Sequence, residues 1–240
     1  MLLHTNVSGE GETIVFLHTG LQTGKLDFEY QQAFFYKNYK VISPDLRGHG
    51  QSTSNDFTNY FNVSAKDLLE TFDHLGLDRV HLVGASLGAI VATVFAKLYP
   101  ERLSSLIISG ITPEKPENWL SLHEQDVAFQ SQLLQNEETL AYFNSIHTSD
   151  WLQMIYLVRD VNWYPFEITR ELAYLNCPTL HLAGEGQINE VKGAINYAQK
   201  NKNIHPAIIP FAAHLVHNEQ PEVYTILMEQ FLTKIKKALK

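Results

Sequence analysis

Residues 84–88 read Gly-Ala-Ser-Leu-Gly, which is a G-x-S-x-G motif. An apolar run typical of a buried strand precedes the motif, and a helical pattern follows it. A serine on such a sharp turn lies at a helix N-terminus, where N–H groups favour developing negative charge. The pattern is common, and a turn serine with only a structural role is the alternative. The strand before the motif and the helix after it favour Ser86 as a nucleophile.

A serine nucleophile needs a base, because the hydroxyl is weakly nucleophilic at its free pKa. Among the eleven histidines, His214 follows the last predicted strand on a loop. Parallel strands all end at one edge of a sheet, so this loop and the Ser86 turn are expected at the same edge. His217, His181 and His205 are less well placed, within strand patterns or deeper in the loop. His214 is therefore the predicted base.

The composition is that of a globular protein, with 45% hydrophobic and 11% aromatic residues in 240. The formal charge of −8 disfavours nucleic acid and anionic membranes as partners, because both require clustered Lys and Arg. Cys177 is the single cysteine, so no intrachain disulfide can form. The first residues lack the pattern of a signal peptide, and a soluble, cytoplasmic protein is expected.

Strand-like and helix-like segments alternate along most of the chain. Strands are predicted at 13–18, 39–43, 79–84, 103–110, 177–184 and 204–210, and helices at 26–37, 63–75, 87–98, 191–200 and 221–238. This alternation predicts an α/β fold with an open, mostly parallel sheet and helices on both faces. Residues 1–110 and 176–240 are expected to form this core.

Residues 111–175 interrupt the alternation, because their pattern is helical and no strand is predicted among them. All three tryptophans lie here, at Trp119, Trp151 and Trp163. A helical cap inserted at this point would lie above the strand ends and could cover a pocket. The alternative is that these aromatic residues form only the small core of the insertion itself.

Three segments together resemble the α/β-hydrolase superfamily, in particular its cofactor-free serine hydrolases with a helical cap. They are Asp-Leu-Arg-Gly-His-Gly-Gln-Ser at 45–52, the motif at 84–88, and His-Leu-Val-His-Asn-Glu-Gln-Pro at 214–221. The resemblance covers nearly the whole chain outside the insertion. It implies the fold described above, a small-molecule substrate, and chemistry that needs no cofactor. No metal is expected either, because no His/Cys/Asp cluster has ligand spacing.

The resemblance also implies an oxyanion hole of two backbone N–H groups. One would belong to Leu87, the residue after the nucleophile, and the other to Gly20. Thr19 stands where the family usually has glycine, which is a departure from the pattern. His18 and His49 match structural turn residues of the family and are not expected to take part in the reaction.

The acid of the family normally lies three residues after the glycine that ends a strand, and here this position is Gln187. Some relatives carry the acid at the end of the preceding strand, where this chain has Ser109. Three hypotheses follow. Gln187 orients His214 through its amide oxygen, or Glu185 or Glu190 takes the role, or the site is weakened and serves for binding. Slight preference goes to the neutral Gln187 and a slow enzyme, since an amide stabilises an imidazolium poorly.

The function expected from these residues is that of a serine hydrolase. It would act on small, rather apolar esters, thioesters or lactones through an acyl-enzyme. The alternatives are a lyase or carbon–carbon hydrolase using the same serine and histidine, or a small-molecule sensor with a weakened triad. The sequence indicates neither the substrate nor the oligomeric state.

Overall fold

The computed structural model describes residues 1–238 of the chain. Seven strands are present: β1 Thr5–Ser8, β2 Thr13–Leu17, β3 Lys40–Pro44, β4 Val80–Ala85, β5 Leu103–Ser109, β6 Thr179–Gly184 and β7 Ile204–Ile209. The first helices are α1 Glu29–Phe35, α2 Tyr60–His74 and α3 Leu87–Leu98. Four follow between β5 and β6, namely α4 Trp119–Leu133, α5 Glu137–Ile146, α6 Leu152–Val158 and α7 Phe166–Thr169. The last are α8 Ile188–Lys200, α9 Val216–Glu219 and α10 Pro221–Ala238.

The strands form one sheet in the order β1-β3-β2-β4-β5-β6-β7. Only β1 runs antiparallel to its neighbour, β3, and every other pair is parallel. The predicted fold class, an open and mostly parallel sheet with helices, is therefore confirmed. The six predicted strands correspond to β2–β7. The short edge strand β1 was not predicted, because its four residues, Thr-Asn-Val-Ser, are half-buried or exposed and carry no apolar run.

Side chains alternate between the two faces of the sheet, as the two-residue period of a strand requires. In β2, Ile14 and Phe16 face one hydrophobic cluster, whereas Val15 and Leu17 face the other. Helices α2, α3 and α8 contribute to the cluster that contains Val15, and α1 and α10 contribute to the opposite cluster. Helices thus cover both faces, and all strand ends needed for a site meet at one edge.

The chain between β5 and β6 contains α4–α7 and no strand. Phe143, Trp151 and Ile155 form a small cluster of their own within this helical insertion. Met154 and Tyr164 instead join the main core, so the insertion is attached to the sheet domain by apolar packing. The division into a core of 1–110 and 176–240 and a cap of 111–175 stays a prediction, and residues 239–240 lie outside the described part.

Within residues 1–238, no helix combines the length and the apolar character needed to cross a bilayer.

Candidate active site

Ser86 lies at the turn between β4, which ends at Ala85, and α3, which begins at Leu87. Its backbone has φ 51° and ψ −117°, a conformation that L-residues rarely adopt. Such a conformation costs about 1–3 kcal/mol and persists only where the surroundings enforce it. The Ser86 N–H donates a 2.9 Å hydrogen bond to the carbonyl of Ser109 at the end of β5, which holds the turn against the neighbouring strand.

The two glycines of the motif allow the backbones around Ser86 to approach closely. A Cβ on Gly88 would lie 2.2 Å from the carbonyl oxygen of Leu17 in β2. A Cβ on Gly84 would lie 2.5 Å from the carbonyl oxygen of Gly88 itself. Backbone atoms cannot move aside as a flexible side chain can, so α3 could not start here with larger residues. The two glycines therefore make the sharp turn at Ser86 sterically possible.

His214 lies directly against Ser86 and connects it to a carboxylate. The Ser86 hydroxyl donates to His214 Nε2, with 2.9 Å between the two atoms. On the other side of the ring, Nδ1–H donates to Glu190 Oε1 at 2.6 Å. This order of hydroxyl, imidazole and carboxylate is the arrangement of a catalytic triad. The structure thus brings together Ser86 and His214 as predicted from the sequence.

The loop that carries His214 is held by two glutamates. The carboxylate of Glu219 accepts hydrogen bonds from the N–H groups of Ala213 and Leu215, at 2.6 and 2.8 Å. Glu185 accepts a hydrogen bond from the N–H of Phe211 at 2.8 Å. Both neighbours of His214 are therefore fixed to one side chain, which explains why a glutamate follows the histidine at this spacing. Glu185 anchors this loop and does not contact His214.

The third position is a correction to the sequence analysis. Spacing favoured Gln187, but the structure places Glu190 against His214 instead. Gln187 ends the turn before α8, and its side chain forms no hydrogen bond with the described residues. Glu190 lies in the first turn of α8, is 7% exposed, and is directed inward.

The environment makes His214 a stronger base than a free histidine. Burial by itself would lower the pKa of His214. The hydrogen bond and the negative charge of Glu190 outweigh burial, with contributions from Glu219 and Asp126, and raise the pKa above its usual value. The imidazolium that forms when a histidine accepts a proton is thereby stabilised.

Two backbone N–H groups are candidate donors of an oxyanion hole. Within the described part of the chain, the N–H groups of Leu87 and Gly20 form no hydrogen bond. The adjacent Thr19 N–H is already used, because it donates to Asp27 Oδ2 at 2.6 Å. The candidate donors are therefore the two residues that the resemblance indicated.

Asp27 is a site residue that the sequence analysis missed. Besides the N–H of Thr19, its carboxylate contacts His217 Nε2 at 3.0 Å and Asn218 Nδ2 at 3.2 Å. Asp27 thereby links the loop that carries Thr19 and Gly20 (the oxyanion loop) to the loop that carries His214 (the histidine loop). Burial would raise the pKa of Asp27, but its bonds to His217 and Thr19 lower it to about 2. No sequence signal marks this residue, because it lies in an unremarkable segment that was predicted to be helical. His217 faces Asp27 and is directed away from Ser86.

His18, His49, His181 and His205 form no hydrogen bond with Ser86 or His214. His18 is buried, accepts the N–H of Leu46 at 2.9 Å and donates to the carbonyl of Thr19 at 2.7 Å. Burial lowers the pKa of His18, and that of His49 still further. His181 is fully buried within β6, and His205 is exposed on β7. In residues 1–238, no group of three or more His, Cys, Asp or Glu side chains is arranged to hold a metal.

A cavity of about 400 Å³ opens beside Ser86 and His214. The insertion supplies much of its wall, from α4, α6 and the segment after α6. These residues are Asp126, Phe129, Gln130, Leu133, Met154, Ile155, Val158 and Trp163. The insertion aromatics therefore divide into two groups, since Trp151 packs within the insertion whereas Phe129 and Trp163 line the cavity.

Comparison with known proteins identifies the family of this chain. The family model described as the alpha/beta hydrolase fold matches residues 12–166, more than half of the 240 residues. The chain belongs to the α/β hydrolase fold family. The curated relatives and solved structures that it resembles include proteins named as hydrolases and esterases.

Three similar proteins illustrate the range. A 2-hydroxy-6-oxononadienedioate/2-hydroxy-6-oxononatrienedioate hydrolase of Paraburkholderia phymatum is 37% identical over 113 residues, covering 45% of this chain and 39% of that protein. Serine hydrolase BPHL of Mus musculus is 28% identical, covering 96% of this chain and 82% of that protein. The structure of MenH from S. aureus has a TM-score of 0.77 at 25% identity, covering 97% and 99% of the two chains. The first curated relatives are matched over only about two fifths of their length.

Proposed function

We propose that this protein is a serine hydrolase that cleaves small esters, thioesters or lactones through an acyl-enzyme. The observation that carries the proposal is the continuous path from the Ser86 hydroxyl through His214 to Glu190, at 2.9 and 2.6 Å. In this proposal Glu190 replaces Gln187 as the third member of the triad, and the enzyme has a charged orienting group.

In the acylation step, Ser86 Oγ attacks the carbonyl carbon of the substrate while His214 Nε2 accepts the hydroxyl proton. The carbonyl oxygen becomes an oxyanion, which the N–H groups of Leu87 and Gly20 stabilise. Collapse of this intermediate breaks the bond to the leaving oxygen or sulfur, and the imidazolium returns its proton to the leaving group. The products of this step are the alcohol or thiol and an ester on Ser86.

Deacylation uses the same groups with water in place of the serine. His214 accepts a proton from water as the water oxygen attacks the acyl carbon. Collapse of the resulting intermediate breaks the bond between the acyl carbon and Ser86 Oγ, releases the carboxylic acid and returns the proton to Ser86 Oγ. Glu190 holds the ring in the tautomer that leaves Nε2 free and stabilises the imidazolium in both steps. The low exposure of Glu190 strengthens this interaction, because water screens it poorly.

The cavity supports a small substrate with an apolar body. A volume of about 400 Å³ suits a molecule of a few tens of non-hydrogen atoms at most. Apolar side chains such as Leu133, Met154, Ile155 and Val158 form most of its insertion side. We assign the insertion the role of a cap, because it forms the wall that faces Ser86.

Carbon–carbon bond hydrolysis is the second candidate, favoured by the 37% identity to a 2-hydroxy-6-oxononadienedioate hydrolase. The substrate in that name is a dicarboxylate. Among the described residues that line the cavity here, none is Lys or Arg. A dianion would therefore meet no cation in this pocket, and ester hydrolysis is the better-supported reaction.

A fluorophosphonate probe and short p-nitrophenyl esters test the proposal without knowledge of the natural substrate. Wild-type protein is expected to be labelled by the probe and to hydrolyse the esters. Ser86→Ala is expected to be neither labelled nor active on the esters. Ser145→Ala, on an exposed serine of α5, is the control and should behave as wild type. Labelling or hydrolysis that persists in pure Ser86→Ala would refute the assignment.

A further inference from the structure

The cavity beside Ser86 has an unusual balance of charge. Besides His214, its ionisable lining residues are two carboxylates, Asp27 and Asp126, and no Lys or Arg lines it among the described residues. A pocket of this kind disfavours an anionic substrate and favours a cationic one, provided that at least one carboxylate has no partner in the protein.

Asp27 does not meet that condition, because its carboxylate is already satisfied. It contacts His217 and Asn218 through one oxygen and the N–H of Thr19 through the other. Its side chain is almost completely buried beneath the loop that carries Thr19. These bonds position the two loops, and little of its charge is left for a ligand.

Asp126 does meet the condition. It lies on α4 and lines the cavity that Ser86 also lines, and its carboxylate forms no hydrogen bond or ion pair with any described residue. Its charge reaches the site, since it helps to raise the pKa of His214. Asp126 is exposed at the cavity, and partial desolvation of its carboxyl raises the pKa of Asp126, against the smaller opposing effects of His123 and His214. The ionised carboxylate is thus less stable here than in water and would be stabilised by a cation.

Aromatic side chains provide a second, independent feature that suits a cation. Phe129, three residues after Asp126 on the same helix, lines the cavity and is 66% exposed. Trp163 lines the cavity as well. The faces of such rings attract ammonium groups, with the strongest effect at tryptophan. A carboxylate and two aromatic rings in the lining of one cavity are a combination that recognises an organic ammonium group.

We propose that Asp126 is a specificity-determining residue that binds a positively charged amino or quaternary ammonium group of the substrate. The inference rests on the proposed function, because it places an ammonium-bearing ester in the cavity beside Ser86. Phe129 and Trp163 flank the cation, while the ester carbonyl lies at Ser86. The formal charge of −8 on the chain also raises the local concentration of cationic ligands.

Two esters of the same shape separate charge from size. Benzyl alaninate carries an ammonium group where benzyl isobutyrate carries a methyl group. For a cation on the alcohol side, acetylcholine and 3,3-dimethylbutyl acetate form the corresponding pair. Equilibrium binding of each ester to Ser86→Ala, which lacks the proposed nucleophile, measures recognition without turnover.

The cationic member of at least one pair is expected to bind Ser86→Ala about tenfold more tightly than its neutral partner, as for a partly desolvated charge pair. This preference should vanish in Ser86→Ala/Asp126→Asn. It should persist in Ser86→Ala/Glu124→Gln, which removes the same charge two residues away on α4, at an exposed position outside the cavity lining. Equal binding within both pairs, or a preference that survives Asp126→Asn, would overturn the inference.

Turnover of the neutral esters reports the proposed function separately. The wild type should hydrolyse benzyl isobutyrate, and Glu124→Gln should hydrolyse it at the same rate, because Glu124 lies outside the cavity lining. If no ester is hydrolysed while the Asp126-dependent binding preference remains, hydrolase activity is refuted and the cation site stands. If the neutral esters are hydrolysed with no cation preference, the hydrolase stands and the Asp126 inference is refuted.

Discussion

The loops at the strand ends and the helical insertion enclose the same cavity but are built in different ways. Around Ser86 and His214, backbone groups lie so close that Gly84, Gly88 and Gly110 admit no larger residue without a shift. In the insertion, side chains such as Phe129, Tyr142 and Tyr156 are more than two-fifths exposed, although Met154 and Tyr164 pack into the main core. Close backbone contacts therefore fix the side of the cavity that the strand-end loops form, but they do not fix the side that the insertion forms.

This difference in construction assigns catalysis to the strand-end loops and substrate selectivity to the insertion. A loop that is fixed by backbone contacts can hold a nucleophile and a base within hydrogen-bonding distance, which catalysis requires. A wall of partly exposed side chains can change without disturbing that geometry. Substitutions in the strand-end loops should therefore alter kcat, whereas those in the insertion should alter KM. The predictions below test this division, beginning with the largest expected effect.

Glu190→Gln is expected to lower kcat by about 10²- to 10⁴-fold on any ester that the enzyme accepts, because a neutral amide stabilises the imidazolium poorly. Gln187→Ala is the control and should change kcat by less than about threefold, since Gln187 forms no side-chain hydrogen bond with the described residues. Steady-state kinetics of both variants on one ester decide whether Glu190 or Gln187 orients His214. A large loss in Gln187→Ala with little effect of Glu190→Gln would restore the hypothesis of a neutral orienting residue.

Glu190→Gln should also shift the pH profile of kcat/KM. The base must be neutral to act, so kcat/KM falls as the pH drops through the pKa of His214. Glu190 raises that pKa, so the acidic limb of the wild type should lie above about 6.5, the value for a free histidine. Removal of the negative charge in Glu190→Gln should move the limb to lower pH. A limb that stays in place would show that Glu190 does not govern the base.

Asp27→Asn tests the link between the oxyanion and histidine loops. Because the pKa of Asp27 is lowered from 3.8 to about 2, the ionised carboxylate stabilises the folded state by about 2 kcal/mol. This contribution is present above pH 4 and is lost as the pH falls towards 2. Chemical denaturation at pH 7 should show the loss in Asp27→Asn and little change in Asp78→Asn, an exposed control. Equal stabilities at pH 7 would contradict the structural role of Asp27.

Gly110→Ala should lower kcat by about tenfold through crowding at the site. A Cβ at Gly110 would lie 3.0 Å from Ser86 N and 3.1 Å from His214 Cε1, on a backbone with φ +75°. Gly76→Ala is a matched control, because Gly76 also has a positive φ, +65°, but has open space around it. Both variants should lose about 1 kcal/mol of stability from backbone strain. Equal kcat values in the two variants would mean that crowding at Gly110 is harmless.

Phe129→Ala should have the smallest effect, raising KM for an apolar ester by no more than about fivefold and leaving kcat unchanged. The ring is 66% exposed, so its removal loses only part of the apolar contact that a buried ring would provide. Initial-rate kinetics over a range of ester concentrations measure both constants. A loss in kcat as large as that of Gly110→Ala would show that the insertion also positions the reacting groups, and the proposed division would fail.

Local sequence determined most of the sheet and the contact between Ser86 and His214. Buried parallel strands require nearly continuous apolar runs, and most of β2–β7 have them, whereas β1 is too short and polar to be recognised. The G-x-S-x-G motif can be recognised from the sequence because its glycines satisfy steric demands within five residues. The position of His214 followed from topology, since the ends of parallel strands meet at one edge.

Only the tertiary structure showed which carboxylates contribute to the candidate active site. Counting residues from Gly184 indicated Gln187, but the start of α8 at Ile188 directs Glu190 towards His214. Asp27 meets His217 and Asn218 across about 190 residues of chain. Asp126 faces the cavity only because α4 lies over the strand ends. The orientation of each of these side chains depends on the packing of distant elements, which spacing along the chain does not encode.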